Sequence, residues 1–256
     1  MSFSIAVAGK GGTGKTSLTS LIIRYLIRAG AHPILAVDAD PNANLGEGLG
    51  LAVNDTVGLM LDRFQKAKID IPSGLTKEAY LEFKLNSLLI ENRGFDLLTM
   101  GRGEGEGCYC YPNLILRNFI DRLAANYAYV VMDNEAGMEH LSRGTTHDID
   151  ELLIVSNHSV KGVRTLGRIR DLVGELHLKI KHQSVVINMA PAAVDPAIEM
   201  ELGRLGLKAD LVVPEDPQVC QADLEMKSLL DLPADSPAVR AVDGMMARLI
   251  LQETHK

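Results

Sequence analysis

Seven short apolar runs recur along the chain, and a longer stretch of mixed character separates each run from the next. Each run is too short for a helix and is apolar at successive positions, which is typical of a strand covered on both faces. We therefore predict seven buried strands. They span Ile5–Ala8, Ile34–Val37, Asp96–Thr99, Tyr129–Met132, Leu152–Val155, Val185–Ile187 and Ala209–Val213.

Four of the intervening stretches have apolar residues at helical spacing, which predicts amphipathic helices. These stretches are Ser17–Arg28, Leu114–Ala125, Val163–Leu176 and Val239–Leu251. Strands that alternate with helices form βαβ units, so we expect an α/β fold with a doubly wound, mostly parallel sheet flanked by helices. We expect a single domain over residues 1–256, with a helical insertion at residues 54–92, where the sequence is polar and poorly periodic.

Composition narrows the possible partners of such a fold. The chain has 26 basic and 33 acidic residues, a net charge of −7, which disfavours binding to nucleic acid. No apolar run reaches the roughly 18–20 residues that span a bilayer, and the first residues do not resemble a secretory signal. Three cysteines in 256 residues exclude a disulfide scaffold. We expect a cytoplasmic protein that binds neither nucleic acid nor membranes.

A phosphate-binding loop follows the first predicted strand and opens the first predicted helix. The residues Gly9–Thr16 read GKGGTGKT and match the pattern GxxxxGK[ST]. Backbone N–H groups of such a loop approach phosphates, Lys15 would pair with the β- and γ-phosphates, and the Thr16 hydroxyl would ligate Mg²⁺. The predicted nucleotide contacts are Gly11, Gly12, Thr13, Gly14, Lys15, Thr16 and Ser17.

Acidic residues follow two of the predicted strands. Asp38 and Asp40 end the second strand, and Asp133 ends the fourth, where apolar residues running into an aspartate fit a Walker B motif. Carboxylates at the carboxyl ends of parallel strands face the ligand crevice, where they hold Mg²⁺ through water or orient the attacking water. We expect Asp133 to act on Mg²⁺ through such a water. Two alternatives stay open: one of the first two aspartates caps a helix starting near Asn42, and Asp133 is a buried structural residue.

Two cysteines one residue apart form the candidate metal site. Cys108 and Cys110 lie in a Gly-rich loop, Gly101–Pro112, whose backbone is able to bend so that both thiolates reach one metal. A soft tetrahedral site needs four ligands, so a twofold dimer would complete a Cys₄ site on its axis. Structural or redox cysteines are the alternative.

The remaining cysteine and three histidines are predicted to have structural roles in preference to metal binding. Cys220 stands alone in a helical segment and is predicted to be a small core residue. Histidines that follow the fourth and fifth strands are more often polar or capping residues than metal ligands. They are His140, His147 and His158.

The loop KGGTGKT resembles the deviant Walker A motif of the MinD, nitrogenase iron-protein and arsenite-ATPase group. The resemblance implies that Lys10 reaches across a dimer interface to the partner's nucleotide; a solvated loop lysine is the alternative. It also implies that Asp40, next to Pro41, is the catalytic switch aspartate in preference to Asp38, with Asn42 and Asn44 nearby in the switch.

The same resemblance implies a base site. Asn188 follows the sixth strand, where this group places an asparagine amide against adenine, and Pro214 and Glu215 resemble the loop that packs around the base. A plain β-turn is the alternative for that loop. The chain has no NKxD guanine signature, which favours ATP over GTP. Gly137, after the predicted Walker B strand, would contact the γ-phosphate as switch-II glycines do.

Four segments together, GKGGTGKT, VDADPN, GCYC and MDNEAGMEHLSRGT, resemble the CooC-type ATPases, maturation factors for nickel-containing carbon monoxide dehydrogenase. The resemblance covers nearly the whole chain. It implies an ATP-hydrolysing homodimer that binds nickel or zinc through Cys108 and Cys110 of both subunits and assists nickel insertion into a client enzyme. The cysteines do not match the cluster ligands of the nitrogenase iron protein, so no [4Fe–4S] cluster is expected. Alternatives are a factor for the nickel site of acetyl-CoA synthase and a MinD/ParA-like positioning ATPase.

Overall fold

The computed structural model describes residues 2–66, 72–102, 118–135, 148–175, 178–191 and 193–254. Eight strands form one sheet: β1 (Phe3–Gly9), β2 (Ile34–Ala39), β3 (Ile90–Asn92), β4 (Phe95–Thr99), β5 (Tyr129–Asn134), β6 (Asp148–Asn157), β7 (Lys179–Ala190) and β8 (Leu211–Pro214). Their order across the sheet is β3-β4-β2-β5-β1-β6-β7-β8. All neighbouring strands are parallel except β3, which runs antiparallel to β4 at one edge. The predicted α/β fold with a mostly parallel sheet is confirmed.

Helices cover both faces of this sheet. They are α1 (Lys15–Arg28), α2 (Leu45–Gly48), α3 (Val57–Lys66), α4 (Lys77–Asn86), α5 (118–124), α6 (Val160–Glu175), α7 (Pro196–Arg204), α8 (Pro217–Leu224) and α9 (Pro237–Thr254), with a 3₁₀ turn at Leu229–Asp231. Residues 54–92 contain α3, α4 and β3. No helix in the described part of the chain is long and apolar enough to cross a membrane.

Alternation along the strands builds two apolar layers. In β1, Ile5 and Val7 point to the layer that contains α1 and α9, whereas Ala6 and Ala8 point to the layer of α3 to α7. All four side chains are fully buried. Burying a Val, Leu or Ile side chain stabilises a fold by roughly 1.5–3 kcal/mol, so covering both faces explains why the buried stretch Ile5–Ala8 is apolar at successive positions. The sheet therefore holds its carboxyl edge rigidly beneath the phosphate loop.

Two of the sequence predictions need correction at element level. β8 begins at Leu211, not Ala209, and β3 was not predicted, because a three-residue edge strand with two polar residues has no apolar run. Helix α7 was not predicted, and α8 was predicted only as the helical segment around Cys220, although each begins with an aspartate cap followed by proline.

Candidate nucleotide site

The phosphate loop joins β1, which ends at Gly9, to α1, which begins at Lys15. The loop closes on the backbone carbonyl of Lys10, which accepts hydrogen bonds from the Thr13 hydroxyl at 2.8 Å and from Lys15 Nζ at 3.4 Å. The Lys15 side chain is consequently buried in the loop, whereas Lys10 is exposed. The two lysines of the motif thus have different surroundings: Lys15 contacts the phosphate loop itself, whereas the Lys10 side chain is exposed.

Asn188 at the end of β7 clamps this loop. Its side-chain amide donates to the carbonyl of Thr13 at 2.9 Å. Gly14, the next residue, has a left-handed backbone with φ 77°, and a Cβ there would lie 2.3 Å from the Asn188 nitrogen. Only glycine satisfies both demands. The sequence predicted Asn188 as a base contact but not as a support for the phosphate loop.

The carboxylate of Asp133 meets the first turn of α1. Its Oδ2 accepts a hydrogen bond from the Thr16 hydroxyl at 2.6 Å. Burial raises the pKa of Asp133 to about 6, against the Thr16 hydrogen bond and the Lys15 charge, which lower it. Its other oxygen, Oδ1, is buried and accepts no hydrogen bond from the described residues. A hydroxyl and a free carboxylate oxygen are hard ligands, so Thr16 and Asp133 fit Mg²⁺.

Asp38 lies beside Asp133 on the neighbouring strand, and the two are register partners. Asp38 is fully buried and accepts the Leu45 N–H at 2.9 Å and the Asp40 N–H at 3.2 Å. Burial raises its pKa to about 7; the Leu45 hydrogen bond opposes the rise, and the Asp133 charge adds to it. Asp38 thus holds the N–H of Leu45, the first residue of the short helix α2, whose N-cap residue is Asn44. Among the described residues no helix begins at Asn42, near which the capping alternative expected one.

Asp40 occupies the exposed side of the same cluster. Its Oδ1 accepts two hydrogen bonds from Asn42, one from the backbone and one from the side chain, both at 2.9 Å. Its charge contributes to the raised pKa of both Asp38 and Asp133, so the three carboxyls are electrostatically coupled. The structure therefore brings the predicted Asp40, Asp133, Lys15 and Thr16 to one end of the loop.

A cavity of about 240 Å³ opens at the other end of the loop. It is lined by the predicted base residues Asn188, Pro214 and Glu215, together with Gly14 and Ser17. A second cavity, of about 290 Å³, lies between Ser17 and α2 and includes Thr16 and Asn44. The phosphate loop adjoins both cavities, since Gly14 lines the first and Thr16, which donates to Asp133, lines the second. This is the order of parts that a nucleoside triphosphate with its metal requires.

One face of α8 completes both cavities and was missed. Asp223 lines the two cavities, and Val219 does the same one turn earlier. Cys220 is exposed and lines the 240 Å³ cavity, so the prediction of a core cysteine is wrong. The signal was present in the spacing of Asp216, Cys220 and Asp223, since residues three or four apart share a helix face.

Several predicted residues have no structural test here. Those that lie outside the described residues are Cys108, Cys110, Gly137, His140 and His147. Within the described residues no group of three or more His, Cys, Asp or Glu side chains is arranged to hold a metal ion. His158 accepts the backbone N–H of Asp195 at 3.0 Å, so it ties two loops together as the capping interpretation expects.

Comparison with known proteins identifies the family. Residues 4–229 match the model of the CobQ/CobB/MinD/ParA nucleotide binding domain. An uncharacterized ATP-binding protein of Methanocaldococcus jannaschii is 40% identical over 96% of this chain and 98% of its own length. The carbon monoxide dehydrogenase accessory protein CooC of Rhodospirillum rubrum is 30% identical over 96% of this chain and 95% of its own.

A solved structure confirms the fold. The septum site-determining protein MinD of Pyrococcus horikoshii, complexed with Mg-ADP, superposes with a TM-score of 0.71 at 21% identity, over 97% of this chain and 96% of that one. At this identity the likeness shows a common fold. Together with the phosphate loop, the family match and the relatives show that this chain belongs to the CobQ/CobB/MinD/ParA family and is an ATPase.

Proposed function

We propose that this ATPase is a nucleotide-dependent homodimeric metallochaperone that assists nickel insertion into carbon monoxide dehydrogenase. The observation that carries the proposal is that a complete nucleotide site occurs in one chain with the pair Cys108 and Cys110. The likeness to the carbon monoxide dehydrogenase accessory protein, which spans almost the whole chain, supports the choice of client.

The chemistry of hydrolysis follows from the geometry around α1. Lys15 would bind the β- and γ-phosphates, and Thr16 and Asp133 would hold Mg²⁺, which neutralises charge on the phosphate oxygens when bound. Asp40, on the exposed side of the carboxylate cluster, would orient the attacking water. Asn188 with the loop Pro214–Glu215 would bind adenine, because these residues line the cavity next to the phosphate loop.

Nickel is the cargo in this proposal. Thiolates are the soft ligands that hold it, and a pair from each subunit supplies four. Lys10 would bring the subunits together by binding the partner's nucleotide, since its side chain is exposed and its carbonyl alone is used within the loop. ATP binding would therefore assemble the nickel site, and hydrolysis would release it to the client.

A nickel titration tests the shared site. We expect one Ni²⁺ per dimer, tighter binding with a non-hydrolysable ATP analogue, and loss of tight binding in Cys108→Ala and in Cys110→Ala. Cys220→Ala is the matched control, because Cys220 is an exposed thiol of the same chain and is not part of the Cys108–Cys110 pair of either subunit. One nickel per monomer, or an equal loss in Cys220→Ala, contradicts the shared site.

A reconstitution assay tests the client. Purified nickel-free carbon monoxide dehydrogenase should gain CO-oxidising activity with nickel, Mg-ATP and the wild-type protein, and much less with Cys108→Ala. Activation of nickel-free acetyl-CoA synthase instead would favour the alternative client. Nucleotide-dependent co-sedimentation with lipid vesicles, without any activation of either enzyme, would favour a MinD-like positioning role, for which the shared fold is the supporting observation.

A further inference from the structure

One buried carboxylate joins two helices beside the base cavity. Asp216 precedes α8, and its Oδ1 accepts the Gln218 N–H at 2.9 Å. Its Oδ2 accepts the Ser236 hydroxyl at 2.5 Å and the Ala238 N–H at 3.0 Å, both at the start of α9. Asp216 is 4% exposed and Ser236 is fully buried. A single side chain therefore caps the N-termini of α8 and α9 at once.

This carboxylate is held in its charged form. Burial acts to raise the pKa of Asp216, but hydrogen bonds from Ser236, Ala238 and Gln218 outweigh burial and keep the pKa below its ordinary value. Hydrogen bonds to an ionised carboxylate are roughly twice as strong as neutral ones. The contact between α8 and α9, which we call the Asp216–Ser236 joint, is therefore a firm one.

Both sides of the joint line the base cavity. Pro214 and Glu215 immediately precede Asp216, and Ala238 follows Ser236 by two residues; all three face the 240 Å³ cavity. The cavity lies between α1, which supplies Ser17, Leu18 and Leu21, and the loop that leaves β8, and Ala238 of α9 completes its lining. The joint thus ties the loop that leaves β8 to the first turn of α9.

Helix α9 is in turn attached to the helix that carries the phosphate loop. Arg24 of α1 donates from Nη2 to the carbonyl of Leu232 at 2.8 Å, and its Nη1 lies 3.6 Å from Asp243 Oδ2 in α9. Arg24 is 1% exposed. Asp216 connects the loop Pro214–Glu215, which we call the base loop, to α9, and Arg24 connects α9 to α1. Through these two contacts α9 links the base loop to the phosphate loop.

We propose that Asp216 and Ser236 are positioning residues for base binding: the joint between them sets the base loop at the distance from the phosphate loop that an adenine nucleotide requires. The inference rests on the proposed role of Asn188, Pro214 and Glu215 as the base site. It adds two positioning residues to that base site. Neither of them needs to touch the nucleotide's phosphates.

The test compares ATP with inorganic tripolyphosphate, which has the phosphates but no base. Ser236→Ala should weaken ATP binding and raise the KM for ATP by about 5- to 30-fold, the effect of one lost buried hydrogen bond, with kcat within about twofold of wild type. Tripolyphosphate affinity should not change. Asp216→Asn, a variant of unchanged size, should show the same selective loss.

Ser228→Ala is the matched control. Ser228 caps the 3₁₀ turn by accepting the Leu230 N–H at 3.2 Å, whereas the hydrogen bonds to the Asp216 carboxylate come from Gln218, Ser236 and Ala238. Its ATP affinity should equal that of wild type. Equal losses for ATP and tripolyphosphate, or the same loss in Ser228→Ala, would show a general scaffold effect and overturn the proposal.

The two failures are distinguishable. If wild-type protein binds ATP no more tightly than tripolyphosphate, the base site itself is absent, and the joint has nothing to position. If the wild type prefers ATP and Ser236→Ala retains that preference in full, the base site stands and the joint alone is refuted.

Discussion

Replacement of Asn188 by alanine removes the clamp on the phosphate loop. The Asn188 amide is the donor to the Thr13 carbonyl at 2.9 Å, and Thr13 is 2% exposed. The variant leaves that buried carbonyl without its side-chain donor and opens space beside Gly14, where the amide lies now. The loop then loses the contact that orders it before nucleotide arrives.

The magnitude follows from the cost of one lost buried hydrogen bond. A buried acceptor deprived of its donor costs about 1–3 kcal/mol. Part of this cost appears as lower stability, and part is recovered only when phosphates reorder the loop. We therefore expect Asn188→Ala to weaken ATP and ADP binding by about 5- to 30-fold, which corresponds to about 1–2 kcal/mol.

The assay is isothermal titration of ATP, ADP and tripolyphosphate into Asn188→Ala and a matched control. Because the clamp acts on the phosphate loop, tripolyphosphate should bind more weakly, whereas Ser236→Ala leaves its affinity unchanged. ATP and ADP should also bind more weakly, and by at least as much, because Asn188 is in addition a proposed adenine contact. Asn157→Ala is the control: Asn157 is the register partner of Asn188 on β6, and its Oδ1 accepts only the Ser159 hydroxyl, at 2.8 Å, among the described contacts. Wild-type affinity in Asn188→Ala, or an equal loss in Asn157→Ala, would refute this reasoning.

Three further predictions concern Thr16, Cys220 and Asp150. Thr16→Ala should abolish Mg²⁺-dependent hydrolysis while Mg²⁺-free nucleotide still binds, measured as phosphate release and by titration; unchanged turnover would contradict the role of the hydroxyl. With Cys108 and Cys110 both replaced by alanine, alkylation of Cys220 should slow when ADP fills the cavity, and mass spectrometry reads the rate. Asp150 is buried, which acts to raise its pKa, but hydrogen bonds from Lys181 and Ser4 lower it. Its stabilising effect is therefore fully present above its unfolded pKa of about 3.9 and is lost as pH falls through the lower folded-state pKa. Urea midpoints of wild type and Asp150→Asn should differ at neutral pH and converge only below that lower pKa.

The fold was predictable because its strands are apolar on both faces and its helices are not. A run such as Leu152–Val155 is too short for a buried helix, and its alternation with helical stretches favours the interior of a parallel sheet. The phosphate end of the site was predictable for a related reason: a loop of glycines with Lys15 and Thr16 has one well-known geometry between a strand and a helix. Its position then places Asp133, at the carboxyl edge of a neighbouring strand, within reach.

The remaining parts of the site depend on contacts between distant segments. No local pattern shows that Asn188 reaches Thr13 across 175 positions of the chain, because each residue alone is compatible with many environments. Cys220 was misassigned for the same reason: its spacing predicts a helix face but does not say whether that face meets the core or a cavity. Long-range hydrogen bonds depend on tertiary structure, whereas hydrophobic periodicity predicts only local secondary structure.

The cluster of Asp38, Asp40 and Asp133 connects the nucleotide site to residues 40–45, which we call the switch loop. Register places Asp38 beside Asp133 on strands about 4.8 Å apart, and the Asp133 charge adds to the rise that burial causes in the pKa of Asp38. A cation that neutralises Asp133 therefore favours ionised Asp38 as well. Asp38 holds the N–H groups of Asp40 and Leu45, the two ends of the switch loop, and both hydrogen bonds strengthen when the acceptor is charged. If Thr16 and Asp133 hold a cation as proposed, its charge would strengthen the hold of Asp38 on the loop that carries Asp40.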